Sequence, residues 1–536
     1  MLRFLAEHIR YWALLLCSIL TVVLIWGSVR WDWPWGGIVV FGYLSYLGFR
    51  DVTQTRHAIL RNYPIVGHLR FFLEYVRPEI RQYFLESDIE ATPFTRIQRS
   101  LVYQRAKQEV DKRPFGTLMD AYAPGYHWLN HSAAPKKPNG HDFRSLIGGP
   151  DCRQPYSHSL LNISAMSFGA LSANAILALN EGAKRGGFAH DTGEGSISIH
   201  HRKNGGDLVW EIGTGYFGCR NEDGGFDPDK FQENARDPQV KMIEIKLSQG
   251  AKPGHGGVLP GAKVSKEIAE ARGVPEGVDC ISPGSHSAFS SPIGLLEFVK
   301  HLRELSDGKP IGFKLAIGHP WEWFAIVKAM QTTGITPDFI VVDGKEGGTG
   351  AAPEEYLDRV GIPMREGLMM VHNALLGVGL RDRIRIGVAG KIISAFDMVR
   401  VFALGADFCN AARGFMFALG CIQAQDCHSD KCPTGVTTQD PIRQRALVVP
   451  EKAARVYHFH RNTLEALSEL VASAGLDHPN QIKPEHIMVR VSAYQAKMFS
   501  ELYEFLEPGE LLIHSDRLGV FRQFWHRADP HQFHLI

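Results

Sequence analysis

From Leu161 onward, short apolar runs alternate with longer stretches in which apolar residues recur every three or four positions. The short runs have the length and β-branched content of strands, and the longer stretches have helical periodicity. The predicted strands are 161–165, 242–247, 278–282, 311–316, 338–343, 384–388 and 406–410. The predicted helices are 171–185, 263–271, 293–305, 321–333, 366–379 and 394–404. Strands separated by helices pair in parallel, so this α/β pattern predicts a (β/α)8 TIM barrel, with an open doubly wound sheet as the alternative.

Two uncharged runs precede this region. Residues 11–29 are long enough to cross a hydrocarbon core of roughly 30 Å as a helix, and residues 33–49 form a second, glycine-rich run. Tryptophans cluster at the break between them, as at a membrane interface: Trp26, Trp31, Trp33 and Trp35. Arginines flank both outer ends. We therefore predict a transmembrane hairpin within residues 1–52, anchored in the cell inner membrane with both ends cytoplasmic; a cleaved signal peptide is the alternative.

The rest of the chain divides by texture. Residues 53–154 form a predicted juxtamembrane and N-terminal extension, residues 155–445 the barrel, and residues 446–536 a C-terminal helical extension. Residues 57–84 mix aromatic residues with arginine, which is typical of a helix lying on a membrane surface or packed against the soluble domain. The net charge is +1, so we expect no nucleic-acid partner.

Three of the eight cysteines fall within twelve residues. Cys421, Cys427 and Cys432 have the spacing C-x5-C-x4-C, and Pro433 follows the last. Closely spaced thiolates hold iron–sulfur clusters, whereas structural zinc usually needs four ligands in closer pairs. The spacing therefore indicates a three-cysteine cluster, most simply 3Fe-4S; three buried structural cysteines are the alternative.

Polar, glycine-rich loops follow most of the predicted strands, where the active sites of barrels lie. The loops read SAMSFGALS, KLSQGAKPGHGG, SPGSHSAFSSP, DGKEGGTGAAP and AGKI. Glycine at such places lets backbone approach a ligand closely. The loops therefore indicate a ligand site at one end of the barrel.

Over residues 155–475, the cysteine segment and the motifs MSFGALS, TGEG, GAKPG, ISP and GGTGA resemble, in order, the FMN domain of glutamate synthases. The resemblance implies a barrel that carries FMN and a 3Fe-4S cluster held by the three cysteines. It also implies flavin-binding roles for Ala165, Met166, Ser167, Lys314, Gly347, Gly348, Thr349, Gly390, Lys391, Ala412 and Arg413. Lys314 would face the flavin N1 region; a salt-bridged lysine inside the barrel is the alternative.

By the same resemblance, Glu194, Lys246 and Lys252 are the catalytic residues, which would handle 2-oxoglutarate and its imine. Two ammonium groups pair with two carboxylates, and a glutamate moves a proton. Val258 stands where the family has a glutamine in the substrate pocket, which puts 2-oxoglutarate in question as the substrate.

The resemblance leaves two hypotheses about function. The first is an oxidoreductase acting on CH–NH2 or imine substrates, such as 2-oxoglutarate undergoing reductive amination. The second is a membrane-tethered electron-transfer or scaffold subunit that has lost this chemistry. We expect neither a glutaminase domain nor a dinucleotide-binding motif in the sequence, so electrons would come from an external ferredoxin-like donor or reductase. The expected partners are that donor, a keto acid or amino acid, the lipid bilayer and further copies in a homo-oligomer.

Overall fold

The computed structural model describes residues 9–90, 92–514 and 517–535, with Ile9 as backbone only. These residues form two compact units, which divide between Thr95 and Arg96. Residues 1–8 of the predicted hairpin region and residues 515, 516 and 536 of the predicted C-terminal extension lie outside the described part.

The N-terminal unit is helical. Its elements are Ile9–Tyr11, Trp12–Trp31, Gly36–Thr53, Ala58–Asn62 and Gly67–Ile80, the last continued by a π-helical turn over Arg81–Leu85. The first two long helices contact each other through the hydroxyls of Thr21 and Ser45, which lie 3.2 Å apart. The carboxylate of Asp51 accepts from the backbone N–H of Ile65 at 3.0 Å and from Nε2 of His68 at 2.9 Å. These bonds hold the later helices of the unit against the helix pair.

Within the described residues, one helix is long and apolar enough to cross a membrane. It is Trp12–Trp31, with a mean hydropathy of 2.2. Gly36–Thr53 does not reach the same threshold because Arg50, Asp51 and several glycines lower its hydropathy. The helix pair is thus present in the structure, and its insertion as a hairpin remains a prediction.

A closed barrel of eight parallel strands forms the centre of the second unit. The strands are β1 (Leu161–Ile163), β2 (His190–Asp191), β3 (Leu208–Ile212), β4 (Val240–Lys246), β5 (Ile311–Leu315), β6 (Phe339–Asp343), β7 (Arg385–Ala389) and β8 (Phe408–Ala411). The ring closes where β8 pairs with β1, with Ala411 opposite Ile163. The predicted (β/α)8 barrel is confirmed, and the open sheet is wrong.

The predicted strand at 278–282 is wrong as a barrel strand. Cys280–Ile281 pairs antiparallel with Val258–Leu259 in a small separate sheet. The barrel uses β2 and β3 instead, which the hydrophobic pattern missed. Both carry inward carboxylates, Asp191 and Glu211, which interrupt the apolar runs expected of parallel strands.

Helices surround the barrel, and others precede and follow the barrel in the chain. They are Arg96–Lys107, Ala173–Gly186, Ile199–Arg202, Pro228–Ala235, Lys266–Arg272, Pro292–Leu305, Pro320–Thr333, Glu354–Arg359, Met364–Gly377, Ala395–Phe402, Arg413–Leu419, Pro441–Gln444, Val449–Ser473, Phe499–Leu502 and Gly519–Phe524. The 3-10 turns are Gly261–Lys263, Pro479–Gln481, Pro484–His486 and Glu510–Leu512. The helix Val449–Ser473 packs closely on Ala173–Gly186, where a Cβ at Gly182 would lie 2.5 Å from Val456.

Two small sheets complete the unit. The hairpin of Arg144–Ile147 and Tyr156–Ser159 lies below the barrel, and Ile147 joins a buried cluster with Phe339 and Phe408 at the strand beginnings. His127–Leu129, Ile487–Ser492 and Gln495–Met498 form an antiparallel sheet. Because one end of the barrel is closed by apolar side chains, the carboxyl ends of the strands are left for chemistry.

Candidate active site

A buried ion network occupies the interior of the barrel. The ammonium of Lys314 on β5 contacts Glu211 on β3 and lies 3.3 Å from Oε1 of Glu244 on β4. Carboxylate oxygens of Asp191, Glu211 and Glu244 all lie within 4.8 Å of one another. Burial alone would lower the pKa of Lys314, but these carboxylates hold it well above its ordinary value. The structure thus gives Lys314 the salt-bridged arrangement, and its approach to a flavin remains a prediction.

The pKa of Asp191, in the same network, is also raised. Burial, followed by the negative charge of Glu211, raises the pKa of Asp191 to about 7. Asp191 therefore keeps its proton to a higher pH than an exposed aspartate does.

The three predicted catalytic residues meet at the carboxyl ends of β2 and β4. Nζ of Lys246 lies 3.0 Å from Oε1 of Glu194, and Lys252 follows in the next loop with its side chain buried. Burial opposes ionisation of Glu194, but the charges of Lys246 and Lys252 outweigh it and lower the pKa of Glu194 to about 2. Glu194 is therefore a carboxylate at every physiological pH.

Two glycines make room for this carboxylate. A Cβ at Gly257 would lie 2.5 Å from Oε1 of Glu194, and one at Gly213 would lie 2.7 Å from Oε2. Any larger residue at either position would displace the carboxylate. Neither glycine was identified as functional from the sequence. For Gly257, the feature that could have revealed it is the glycine pair in GHGG, because glycine permits close backbone approach.

A third cation, Arg272, was also missed. Its guanidinium donates to the hydroxyl of Ser167 at 3.3 Å and to the carbonyl of Phe168 at 3.2 Å, and it stacks 5.2 Å from the ring of Phe217. Its charge also lowers the pKa of Glu194. Arg272 ends a short helix far along the chain from these partners, so no local motif pointed to it.

A neutral histidine supports the Lys246 backbone. His286 faces the carbonyl of Lys246 at 2.9 Å through Nε2 and the hydroxyl of Tyr216 at 3.0 Å through Nδ1. Because a carbonyl only accepts, we assign the proton to Nε2. Burial lowers the pKa of His286 to about 4, so the imidazole stays neutral.

The predicted flavin residues lie on four loops at the same end of the barrel. Ala165, Met166 and Ser167 follow β1, and Gly390 and Lys391 follow β7 with positive φ angles of 156° and 51°. Gly347, Gly348 and Thr349 follow β6, whereas Ala412 and Arg413 follow β8. The guanidinium of Arg413 donates to the carbonyl of Thr349 at 3.0 Å, and a Cβ at Gly348 would lie 3.3 Å from it. This hydrogen bond joins the loop after β8 to the loop after β6.

The cysteine segment, which we define as residues 421–439, contains no helix or strand. Gln423, Gln425 and Asp430 within it adopt left-handed backbone conformations, with φ of 61°, 59° and 65°. Such conformations are uncommon for residues other than glycine and concentrate at functional sites. The hydroxyl of Tyr103 donates to the carbonyl of Cys421 at 2.7 Å and anchors the start of the segment.

The thiols of the segment differ in their electrostatics. Burial raises the pKa of Cys421 to about 11, and negative charge at Cys427 and Cys432 contributes to the rise. For Cys432, burial is outweighed by hydrogen bonds from Thr437 and Thr434, which lower the thiol pKa. No disulfide is present among the eight cysteines. Negative charge at two of the three cysteines thus acts on the third, and a cluster held by all three remains a prediction.

Val258 lies at the rim of the site. It is 36% exposed and pairs with Ile281, which is 65% exposed. This wall of the rim is therefore apolar.

Sequence comparison places this arrangement among known proteins. Residues 151–477 match the family model described as the conserved region in glutamate synthase. The chain belongs to the glutamate synthase family. It is 38% identical over 493 residues to the glutamate synthase large subunit-like protein YerD of Bacillus subtilis (strain 168), covering 84% of this chain and 93% of that protein. Family membership makes the chain an oxidoreductase of the glutamate synthase type.

A second group of family members is matched over a shorter region. The chain is 35% identical to the archaeal-type glutamate synthase [NADPH] of Thermotoga neapolitana over 315 residues, which is 59% of each chain. Among solved structures, a mandelate oxidase variant with (S)-mandelic acid aligns with a TM-score of 0.40 and 16% identity, covering 75% of this chain and 90% of the oxidase. The family assignment rests on the sequence matches.

Proposed function

We propose that this protein is a flavin and iron–sulfur oxidoreductase that interconverts a keto acid or its imine with an amino acid. The observation that supports this best is the convergence of Glu194, Lys246, Lys252 and Arg272 beside glycine-rich loops at the open end of the barrel. Three cations around one carboxylate suit a substrate that is itself an anion.

FMN is the cofactor that suits the loops. The absence of a side chain at Gly348 lets the guanidinium of Arg413 approach closely, and Gly390 has a backbone conformation that side chains rarely adopt. Arg413 and Lys391 would hold the phosphate, while the β1 loop Ala165–Ser167 would lie along the ring. Bound FMN would supply hydride transfer; the chain's own residues bind, orient and protonate the substrate.

The substrate side is built for proton control and carboxylate binding. Lys246 and Lys252 would pair with substrate carboxylates, and Glu194 would exchange a proton with the substrate nitrogen when substrate carboxylates draw the lysines away from it. The apolar rim at Val258 and Ile281 favours a keto acid whose distal end is less polar than that of 2-oxoglutarate.

The three cysteines would hold a 3Fe-4S cluster, which would relay electrons between FMN and an external donor. The three left-handed residues within the cysteine segment support this proposal, because such conformations concentrate at functional sites. With the helix Trp12–Trp31 as a membrane anchor, we propose that the donor is met at the cytoplasmic face of the inner membrane.

The second candidate is an electron-transfer or scaffold subunit without amino-acid chemistry. The apolar rim at Val258 is the observation that favours it, because it removes an amide from the family's substrate pocket.

The decisive experiment purifies the full chain in detergent without oxygen, measures flavin and iron, and photoreduces the flavin. Reoxidation is then followed with 2-oxoglutarate plus ammonium, and with a series of keto acids of decreasing polarity. Oxidation by at least one keto acid with ammonium, giving the amino acid, supports the enzyme. If no keto acid oxidises the flavin but an external redox protein does, the electron-transfer subunit is the better description.

A further inference from the structure

Lys263 is a buried lysine that the proposed chemistry does not use. It ends the 3-10 turn Gly261–Lys263, and its side chain is almost fully enclosed, with 3% of the residue exposed. Its ammonium donates to the carbonyls of Thr437 at 2.9 Å and Cys427 at 3.2 Å, and approaches that of Ala170 at 3.5 Å. A buried ammonium is costly unless its hydrogen bonds are satisfied, and here three carbonyls satisfy it.

These carbonyls belong to two different parts of the site. Ala170 lies in the loop 164–172 after β1, whereas Cys427 and Thr437 lie in the cysteine segment. Cys427 stands near the middle of that segment and Thr437 near its end. One side chain therefore connects the loop beside the predicted flavin to two points of the segment that carries the thiols.

Two further contacts join the same parts. The side-chain amide of Gln439 donates to the carbonyls of Gly169 at 3.1 Å and Leu171 at 3.0 Å. The backbone N–H of Ser172 donates to the carbonyl of Val436 at 2.9 Å. Unlike Lys263, these contacts involve no charge, and none of them reaches the middle of the cysteine segment.

The turn that carries Lys263 also leads to the substrate side. It continues into the helix Lys266–Arg272, whose last residue donates to Ser167 and Phe168 near the middle of the β1 loop. The β1 loop is thus held by Lys263 near its end and by Arg272 near its middle. Residues 261–272 therefore contact both the cysteine segment and the β1 loop through hydrogen-bonded cations.

The charge on Lys263 faces negative groups of the cysteine segment. Burial lowers the pKa of Lys263, and the negative charges of Asp430, Cys427 and Cys432 offset this only in part, so the pKa stays below its ordinary value. A positive charge enclosed beside an iron–sulfur centre favours the reduced state, because reduction adds negative charge.

We propose that Lys263 is a positioning residue that holds the cysteine segment against the β1 loop and, through its charge, raises the reduction potential of the cluster. The second half of this proposal rests on the proposed function, because it requires the cluster. The first half concerns the protein alone.

Hydrogen exchange of the full chain in detergent tests the positioning role without iron or turnover. In Lys263→Met, the carbonyls of Cys427 and Thr437 lose their partner, so amides in both 164–172 and 421–439 should exchange about tenfold faster or more. Lys263→Arg should restore part of the protection. Lys266→Met is the matched control, because Lys266 is exposed on the same segment, and it should leave exchange unchanged. Unchanged exchange in Lys263→Met would overturn the positioning role.

Gln439→Leu is a second variant that serves if Lys263→Met does not fold. It removes the uncharged link, and it should speed exchange in the same two stretches to a smaller extent. Exchange confined to one stretch would contradict a mechanical connection between them.

Redox titration followed by the electron paramagnetic resonance of the cluster tests the charge effect. The midpoint potential should fall in Lys263→Met and stay near the wild-type value in Lys263→Arg and Gln439→Leu. Equal potentials in all variants would overturn the electrostatic role. A protein without iron would contradict the proposed cluster instead, and the exchange result would still decide the positioning role.

Discussion

At the scale of single residues, the site consists of charges whose states are set by close neighbours. Glu194 is kept ionised by surrounding cations and seated between two glycines, whereas Asp191, deeper in the barrel, holds its proton to about neutral pH. The motifs shared with glutamate synthases pointed to Glu194, Lys246 and Lys252 as candidate catalytic residues, which the structure places together. They did not identify Arg272 or the partners of Lys314, because these contacts join segments far apart in the chain.

Lys252 separates substrate binding from flavin binding. Lys252→Ala removes a buried cation that acts on Glu194 without touching the loops after β7 and β8. We expect the dissociation constant of a keto acid to rise at least about tenfold while flavin stays bound. Absorbance titration of the flavin measures both quantities. Lys266→Ala, at an exposed position, is the control and should behave as wild type; loss of flavin in Lys252→Ala alone would contradict the assignment.

Asp191 makes stability depend on pH in a defined window. Its pKa is about 7 in the folded protein and 3.8 ordinarily, so between these values the folded state holds a proton that the unfolded chain releases. The contribution of Asp191 to the free energy of unfolding therefore falls as pH rises from about 4 to 7. Asp191→Asn removes this dependence. The free energy of unfolding of the variant, measured relative to wild type, should therefore be higher at pH 8 than at pH 4 by on the order of 2–4 kcal/mol.

Chemical unfolding of the full chain in detergent at pH 4, 6 and 8 checks this expectation. The control is Asp223→Asn, at an exposed loop position. Parallel stability curves for wild type and Asp191→Asn across the window would mean that Asp191 is ionised throughout.

At the scale of elements, hydrophobic patterning located most of the barrel and failed in a consistent way. Strands that are apolar on both faces, such as β6, were found, and their following helices began within a few residues of the expected positions. β2 has only two residues, and β3 carries an inward glutamate, so neither stands out as an apolar run. Conversely, the apolar run around Cys280 forms a strand of a small separate sheet. The hydrophobic pattern alone does not reveal which sheet a strand joins.

We expect that iron can be lost from the cysteine segment without loss of the flavin. Cys427→Ser removes one of three proposed ligands, so iron should be lost while the flavin loops, which lie on other elements, keep FMN. Iron analysis and flavin absorbance of the anaerobically purified protein measure the two outcomes. Cys152→Ser, outside the segment, should retain both. Stoichiometric iron in Cys427→Ser would exclude this residue as a ligand.

At the scale of the whole molecule, the chain divides into two compact units, and the anchoring role of the first remains a prediction. The first unit contains an apolar helix and exposed aromatic residues, and the second contains the barrel with every predicted site residue. The division between these units, at Thr95 and Arg96, falls within the predicted extension of residues 53–154 rather than at either of its ends. That the second helix of the pair crosses a membrane remains a prediction. Its charged end, at Asp51, is hydrogen-bonded to His68 of the same unit.

The hairpin prediction is tested by topology reporters. A reporter inserted after Trp33, between the two helices, should report the periplasmic side, and one at the C-terminus should report the cytoplasm. A reporter placed after Asn62 is the control and should agree with the C-terminal one. Equal readings at Trp33 and the C-terminus, or a full chain that stays in solution after the membranes are removed, would contradict the hairpin.

The pairing of β8 with β1 has a consequence for how the chain is made. Because Cys409 must find Leu161, the ring closes only after about 250 intervening residues have left the ribosome, whereas neighbouring strands meet early. Until then β1 is an open edge, able to pair with any other exposed strand. The apolar helix Trp12–Trp31 emerges long before this moment, so delivery to a membrane would precede formation of the active site. Nascent chains would thus reach the bilayer with their catalytic half still unassembled.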